Sequence, residues 1–369
     1  MKLPRSRPAE AFTLVEVLVS TAIIGLLVVI LASVTNQTST IWRRTTAKAE
    51  QFREARAAFE QMTTRLGQAT LNTYFAYDDP DHPTRYDRRS ELRFICGPAD
   101  DVLGAPGRGG GERPTHCVFF QAPFGETENP NFRGFENLLT TRGYWVQLDD
   151  DRDSRPPFLD EDMLPVRYRY RLMELWQPAE TNTIYKWTSG DANYTGREWF
   201  RDALAVAPSP AHVLAENVIA LIVTPRLAQA DERDVKGGNI SNADDSPLAP
   251  NYVYDTSPVL GGAPDSRYHD ARLNPIHQLP PLLQVTMVAI DELSAERLDF
   301  YAGTHNPFTI NRRFRRSADF TKDLALAGDA ASLENTLVDM KVNYRIFTTN
   351  VVIRGAKWSR EQTNLVPGS

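Results

Sequence analysis

FTLVEVLVSTAIIGLLVVILASV, residues 12–34, is a predominantly apolar run with a single charged side chain, Glu16, the fifth residue counting Phe12 as the first. Wound as an α-helix at about 1.5 Å per residue, the stretch spans about 34 Å, enough to cross a hydrocarbon core of about 30 Å. It exceeds the apolar region of a secretory signal, which runs to roughly 7–15 residues. An acid near the start of such a helix costs roughly 2.5–3.5 kcal/mol on insertion scales, so its expected use is to pair with a positive charge. Lys2, Arg5 and Arg7 precede the run. Basic residues stay on the cytoplasmic side, which places the N-terminus inside and the rest outside. Arg43 and Arg44, about two turns beyond the run, oppose that bias.

Beyond the run no proline occurs between Pro8 and Pro80, in a chain holding 25 of them. That gap predicts one helix from about Phe12 to about Asn72. Its second half is amphipathic: Phe52, Ala55, Phe59, Met62, Leu66 and Ala69 recur at intervals of three and four, flanked by Arg53, Glu54, Arg56 and Glu60. The stripe reads as a face packed on the protein's own head domain, a coiled coil with a partner helix being the other reading. After Asn72 the pattern shifts to short alternating or apolar runs between Pro, Gly and Asp clusters, as in antiparallel sheets. The expected strands are Glu91–Cys96, Cys117–Ala122, Tyr144–Leu148, Pro165–Trp176, Thr183–Trp187, Asn217–Thr224, Leu282–Ile290 and Met340–Ile353. Short helices are expected near Arg197–Ala205 and Ala330–Val338, and Gly97–His116 and Arg226–Leu279 read as surface loops. The fold class is therefore α+β: a long N-terminal helix, its first half (12–34) membrane-spanning and its second (35–72) amphipathic, packed on a large antiparallel β-rich head (73–369).

Within the head, Val166–Leu172 alternates strictly, with Arg167, Arg169 and Arg171 on one side. This reads as the solvated face of a half-buried strand; an arginine row docking an acidic neighbour is the alternative. Cys96 and Cys117 are the two cysteines, each at the end of an apolar strand-like run. In an oxidising compartment they form a disulfide candidate, worth roughly 3 kcal/mol in the chain-entropy model; two free buried thiols remain the alternative.

The residues Phe12, Thr13, Leu14, Val15, Glu16, Val17 and Leu18, behind a short basic leader, resemble a type IV prepilin signal. The family usually has Gly before the cut, where this chain has Ala11. The resemblance implies that a prepilin peptidase cleaves between Ala11 and Phe12, removing residues 1–11, and N-methylates Phe12. It also implies that Glu16 neutralises the new terminal amine of a neighbouring subunit during assembly. Implied partners are the peptidase, other pilin-like subunits, an inner-membrane assembly platform and the membrane itself. Tyr168–Pro178, Ala215–Pro225 and Leu279–Asp291 loosely resemble the J-type minor pseudopilin of type II secretion. Tyr344–Trp358 more closely resembles the C protein of the Verru_Chthon pilin-like gene cassette. The expected place is the inner membrane, crossed once, with the N-terminus cytoplasmic and the head periplasmic.

Composition narrows the function further. The formal charge is −6, and residues 1–11 carry three of the 41 basic residues and one of the 47 acidic, leaving −8 without them. An acidic balance argues against a nucleic-acid partner, since phosphate contacts rest on Lys and Arg. None of the six histidines forms HExxH, no GxSxG, phosphate loop or GxGxxG occurs, and no Cys/His cluster suggests a metal site. His212 and Glu216 stand four apart without an evident third ligand, so no enzyme site is expected. Asp149–Asp153 and Asp160–Asp162 are acidic enough to attract calcium, but their spacing fits no calcium-loop template. A solvated loop is the favoured reading, and calcium is the one cofactor left open. The reading that follows is a minor pilin-like subunit of a secretion-type filament, at or near its tip. Its rivals are a minor pilin of a surface fibre for adhesion or DNA uptake and a signal-anchored periplasmic binding domain.

Overall fold

A computed structural model describes residues 14–77, 79, 81–83, 86–104, 111–135, 137–152, 166–184, 186, 196–206, 209–238, 242–257, 270, 272–299, 307–308, 310, 313–325 and 331–356. The chain divides into two compact units, residues 1–51 and 52–369. Helix α1, Leu14–Leu66, runs through both. In its apolar part the Ser20, Thr21 and Thr35 hydroxyls donate to the carbonyls of Glu16, Leu18 and Leu31 at 2.7, 3.0 and 2.8 Å. Each polar group is thereby satisfied inside the helix, without water.

The stripe on the second half of α1 is buried in the head as its spacing predicts. Ala55, Phe59, Met62 and Leu66 join the core, and Ala69 joins it just past the helix. Phe59 meets Phe347 with ring centroids 5.8 Å apart. Full burial of side chains of this size stabilises by roughly 1.5–3 kcal/mol each. The helix stops short of the expected Asn72. The Gln68 and Ala69 amides tighten the last turn onto Arg65 O and Leu66 O, and Thr70 N–H then donates to Gln121 O at 3.0 Å. A backbone bond to a strand outcompetes one more helical turn.

Among the described residues the head holds three sheets, and their pairings are all antiparallel. Strands β1 (Tyr74–Tyr77) and β2 (Tyr86–Arg89) form a ribbon. The six-stranded sheet contains β3 (Phe94–Pro98), β4 (His116–Pro123), β5 (Leu139–Asp150), β6 (Tyr168–Gln177), β7 (Ala211–Glu216) and β9 (Tyr254–Asp255), in the order β7-β6-β5-β4-β3-β9. The three-stranded sheet contains β8 (Val218–Arg226), β10 (Leu282–Ile290) and β11 (Tyr344–Val352), in the order β11-β10-β8. Short helices connect them: α2 (Ala99–Leu103), α3 (Glu198–Ala205), α4 (Gln229–Val235), α5 (Glu292–Asp299), α6 (Phe320–Leu324) and α7 (Leu333–Asp339). Phe119 of β4 stacks on Phe200 of α3 at 4.1 Å. Its partner across the ladder is Gly143, where a Cβ would lie 2.1 Å from the Phe119 ring, so only glycine lets the ring lie over β5.

The two larger sheets are joined by side chains reaching an otherwise open strand edge. Thr115 Oγ1 accepts from Leu221 N–H at 3.0 Å, and His116 Nδ1 accepts from Val223 N–H at 3.1 Å. His116 Nε2 lies 2.9 Å from Phe314 O. A ring that accepts at Nδ1 and donates at Nε2 is neutral, and burial lowers its pKa to about 4.

Four expectations need correction. Thr183–Lys186 closes a turn through a 2.9 Å bond from Lys186 N–H to Thr183 O, so the expected strand is absent among its described residues. The arginine row is not a solvated face: Arg169 is buried and pairs with Glu292 of α5 at 3.1 Å, and Arg171 donates to Asp150 O at 2.8 Å. Cys96 and Cys117 are free thiols rather than a disulfide. Cys96 stands opposite Val118 and Gly97 opposite Cys117, so the two side chains leave opposite faces of the sheet. Burial pushes both thiols up in pKa. Finally, the expected loops Gly97–His116 and Arg226–Leu279 contain α2, and α4 with β9, respectively.

Candidate assembly site

Glu16 lies in the first turn of α1. From Leu14 to Ser39 the helix is long and apolar enough to cross a membrane, and none of that stretch is buried within the protein. Leu14, Val15, Leu18, Leu26, Val29 and Leu31 are each more than 60% exposed, so the stretch that carries the acid presents apolar surface outward. Such a surface is stable in lipid or against other apolar helices, not in water. Ala11 and Phe12, the expected cleavage and methylation positions, lie outside the described residues.

The head holds a buried-charge site that sequence reading did not find. Glu174 of β6 is almost fully buried. Its carboxylate accepts from Arg65 of α1 at 2.5 Å, Arg142 of β5 at 2.9 Å and Tyr144 at 2.8 Å, and it meets His212 Nε2 of β7 at 3.0 Å. Arg142 also pairs with Glu126, which accepts from Trp176 Nε1 at 2.8 Å. The Arg142 guanidinium lies over the Phe124 and Trp176 rings at 5.7 and 5.6 Å. The hydroxyl of Tyr144 is held well above its usual pKa, first by burial and then by Glu174. One carboxylate thus ties the head-side end of α1 to three strands. The signal in sequence was a lone acid, Glu174, within the apolar run Leu172–Trp176.

The other residues weighed as possible ligands are dispersed. His212 bonds to Glu174 rather than joining Glu216 in a metal pair, and it lines a cleft of about 600 Å³ with Trp176 and Asp202. Asp150 and Asp151 cap local backbone, accepting from Arg152 N–H and Arg167 N–H at 3.0 and 3.1 Å. Among the described residues no group of three or more ligand-type side chains could hold a metal ion. Asp153 and Asp160–Asp162 lie outside them.

Comparison with known proteins bears on the same end of the chain. Residues 7–32 match the family model of the prokaryotic N-terminal methylation motif. The match takes in Arg7, Ala11, Phe12, Glu16 and most of the apolar run. The chain therefore carries a prepilin-type signal, the mark of a type IV pilin-like substrate of a prepilin peptidase. The motif implies assembly with other pilin-like subunits. No curated protein and no solved structure matches the chain.

Proposed function

We propose that this chain is a minor pilin-like (pseudopilin) subunit whose work is assembly rather than catalysis. Cleavage after Ala11 exposes a charged amine on Phe12. Glu16 of an adjacent subunit pairs with that amine inside the bilayer, where an unpaired acid is costly and charge pairing is strong. The apolar helices pack side by side into a filament core. The head, on the periplasmic side of the inner membrane, stays outside that core, and its bulk suits a position at or near the tip. An inner-membrane platform drives the polymerisation.

The observation that carries this reading is the conjunction at residues 7–32: the methylation motif overlies a fully exposed apolar helix with its acid in the first turn. The test is the mass of the N-terminal peptide from membranes of cells with and without a prepilin peptidase. The expected peptide starts at N-methylated Phe12 only when the peptidase is present; an intact Met1 leader in both overturns the proposal. Glu16→Ala is expected to abolish incorporation into filaments while leaving the urea midpoint of the head unchanged.

A further inference from the structure

The cleft beside His212 holds about 600 Å³, a size typical of sites for small molecules. Its walls come from the end of β6, the turn that follows it, α3 and the start of β7. Trp176, Pro178, Val206 and Pro210 supply apolar surface. Val206 is 61% exposed, so its side chain is not used by the core and stays open to a ligand.

The polar groups of these walls share one character: their protons are committed elsewhere. Gln177 lines the cleft and is almost fully buried. Its Nε2 donates to Thr181 O, while its Oε1 has no hydrogen-bond partner. A buried carbonyl oxygen left in this way costs free energy until a donor reaches it. The hydroxyls of Thr181 and Thr183 donate to Pro178 O and Trp199 O at 3.4 and 3.3 Å, so lone pairs are what they have left to offer. His212 Nε2 faces the carboxylate of Glu174, which accepts, so the ring N–H sits there and Nδ1 of the neutral ring is an acceptor. Trp176 commits its indole N–H to Glu126. Glu128 and Asp202 add two carboxylates, against Lys186 as the one fixed cation among the described lining residues. The cleft thus combines apolar walls with acceptors and negative charge, and few donors.

We infer that this cleft binds an organic cation: an ammonium or guanidinium group carried on an apolar stem. The stem lies against the Trp176, Pro178, Val206 and Pro210 surface, and the cationic head is met by the acceptors of the wall and the charge of Glu128 and Asp202. An anion would meet those carboxylates and few donors, and an uncharged apolar molecule would leave the Gln177 oxygen unmet. Two sources share this chemistry, a free amine and the Lys or Arg side chain of a neighbouring protein. The inference stands apart from the assembly reading, because the whole cleft lies in the head.

The test is calorimetric titration of the detergent-solubilised full-length protein at neutral pH with three probes of similar shape: benzylamine, benzyl alcohol and benzoate. Benzylamine should bind with a Kd of about 1 mM or below, and the other two about tenfold more weakly or worse. N-acetyl-phenylalanyl-arginine amide forms a second arm. Tighter binding of benzylamine identifies a free amine as the source, and tighter binding of the peptide a protein side chain. Glu128→Gln combined with Asp202→Asn should weaken benzylamine about fivefold and leave benzyl alcohol unchanged, while Lys186→Met should tighten benzylamine about twofold. Gln177→Met, which removes the buried acceptor, should weaken it about tenfold. If Gln177→Met does not fold, the other variants decide, since Glu128, Asp202 and Lys186 are all exposed. Uptake of a probe by detergent is blind to these substitutions, so the variants separate it from binding. Absence of benzylamine binding, equal binding of the three probes, or the same direction of change on removing Lys186 as on removing the two acids overturns the inference.

Discussion

The two halves of α1 solve opposite problems. From Leu14 to Ser39 the helix exposes apolar side chains on every side and holds one acid. From Phe52 to Leu66 it exposes charges such as Glu54 and Glu60, buries a single stripe and ends on Arg65, whose charge is met by Glu174. The second half is complete within its own chain. The first is not: its apolar surface calls for lipid or for other apolar helices. Self-sufficiency in one half and dependence in the other is the division of labour of a subunit that folds alone and functions in company.

Mutations at the complete end should damage folding, and the largest effect is expected at Glu174. Removing it by Glu174→Ala leaves Arg142 buried and without its central carboxylate, and breaking a buried pair from one side costs about 3–5 kcal/mol. Urea unfolding of the solubilised full-length protein measures this; a loss below about 1 kcal/mol means that the carboxylate does not anchor α1. Next comes Met62→Ala. Met62 is completely buried, and truncation there should cost about 2–5 kcal/mol. Leu27→Ala, in the exposed half, should leave the urea midpoint of the head where it was, since Leu27 is 52% exposed. Equal losses for Met62→Ala and Leu27→Ala would erase the contrast between the halves.

Acid should weaken the head in a graded way. Burial lowers the pKa of His116 and of His277 from 6.5 to about 4, with nearby arginines adding to the effect at His277. Both rings are therefore neutral in the folded protein while the unfolded chain takes up protons below pH 6.5. Stability from these rings is complete above pH 6.5 and is lost as pH falls towards 4, by about 1.4 kcal/mol per pH unit per ring. The window from pH 6.5 to 5 separates this from carboxylate titration. A flat urea midpoint across it would mean that the imidazoles are not held neutral.

What was legible in the sequence follows the range of the forces involved. The apolar run and the 3–4 stripe are local periodicities, and both halves of α1 could be read from them. Strand β10 was found end to end because Pro280 and Pro281 bound it on one side and Asp291 on the other. The prepilin-type signal is likewise a linear pattern. The end of α1 was missed because the bond that stops it goes to Gln121, far along the chain. The cysteines looked paired because both close apolar strands, yet a one-residue offset in register sends them to opposite faces. Arg169 alternated as a surface residue does, but Glu292 of α5 covers it. Glu174 was passed over because a buried acid declares itself only through partners on other elements.

The smallest effect is expected on the solvent side of the complete half. Arg56 and Glu60 are one turn apart and joined at 2.8 Å, the same contact type that Arg65 makes with Glu174. Their side chains are 65% and 62% exposed, against 2% for that of Glu174. Water already solvates both charges, so little is gained by pairing them and little is left stranded when one is removed. Arg56→Ala should therefore shift the urea midpoint by no more than about 0.5 kcal/mol, and 1 M salt should remove most of that shift. A loss near that of Glu174→Ala would show that Arg56 meets a partner beyond Glu60, and the outer face of the second half would then belong, like the first half, to the assembly rather than to the subunit.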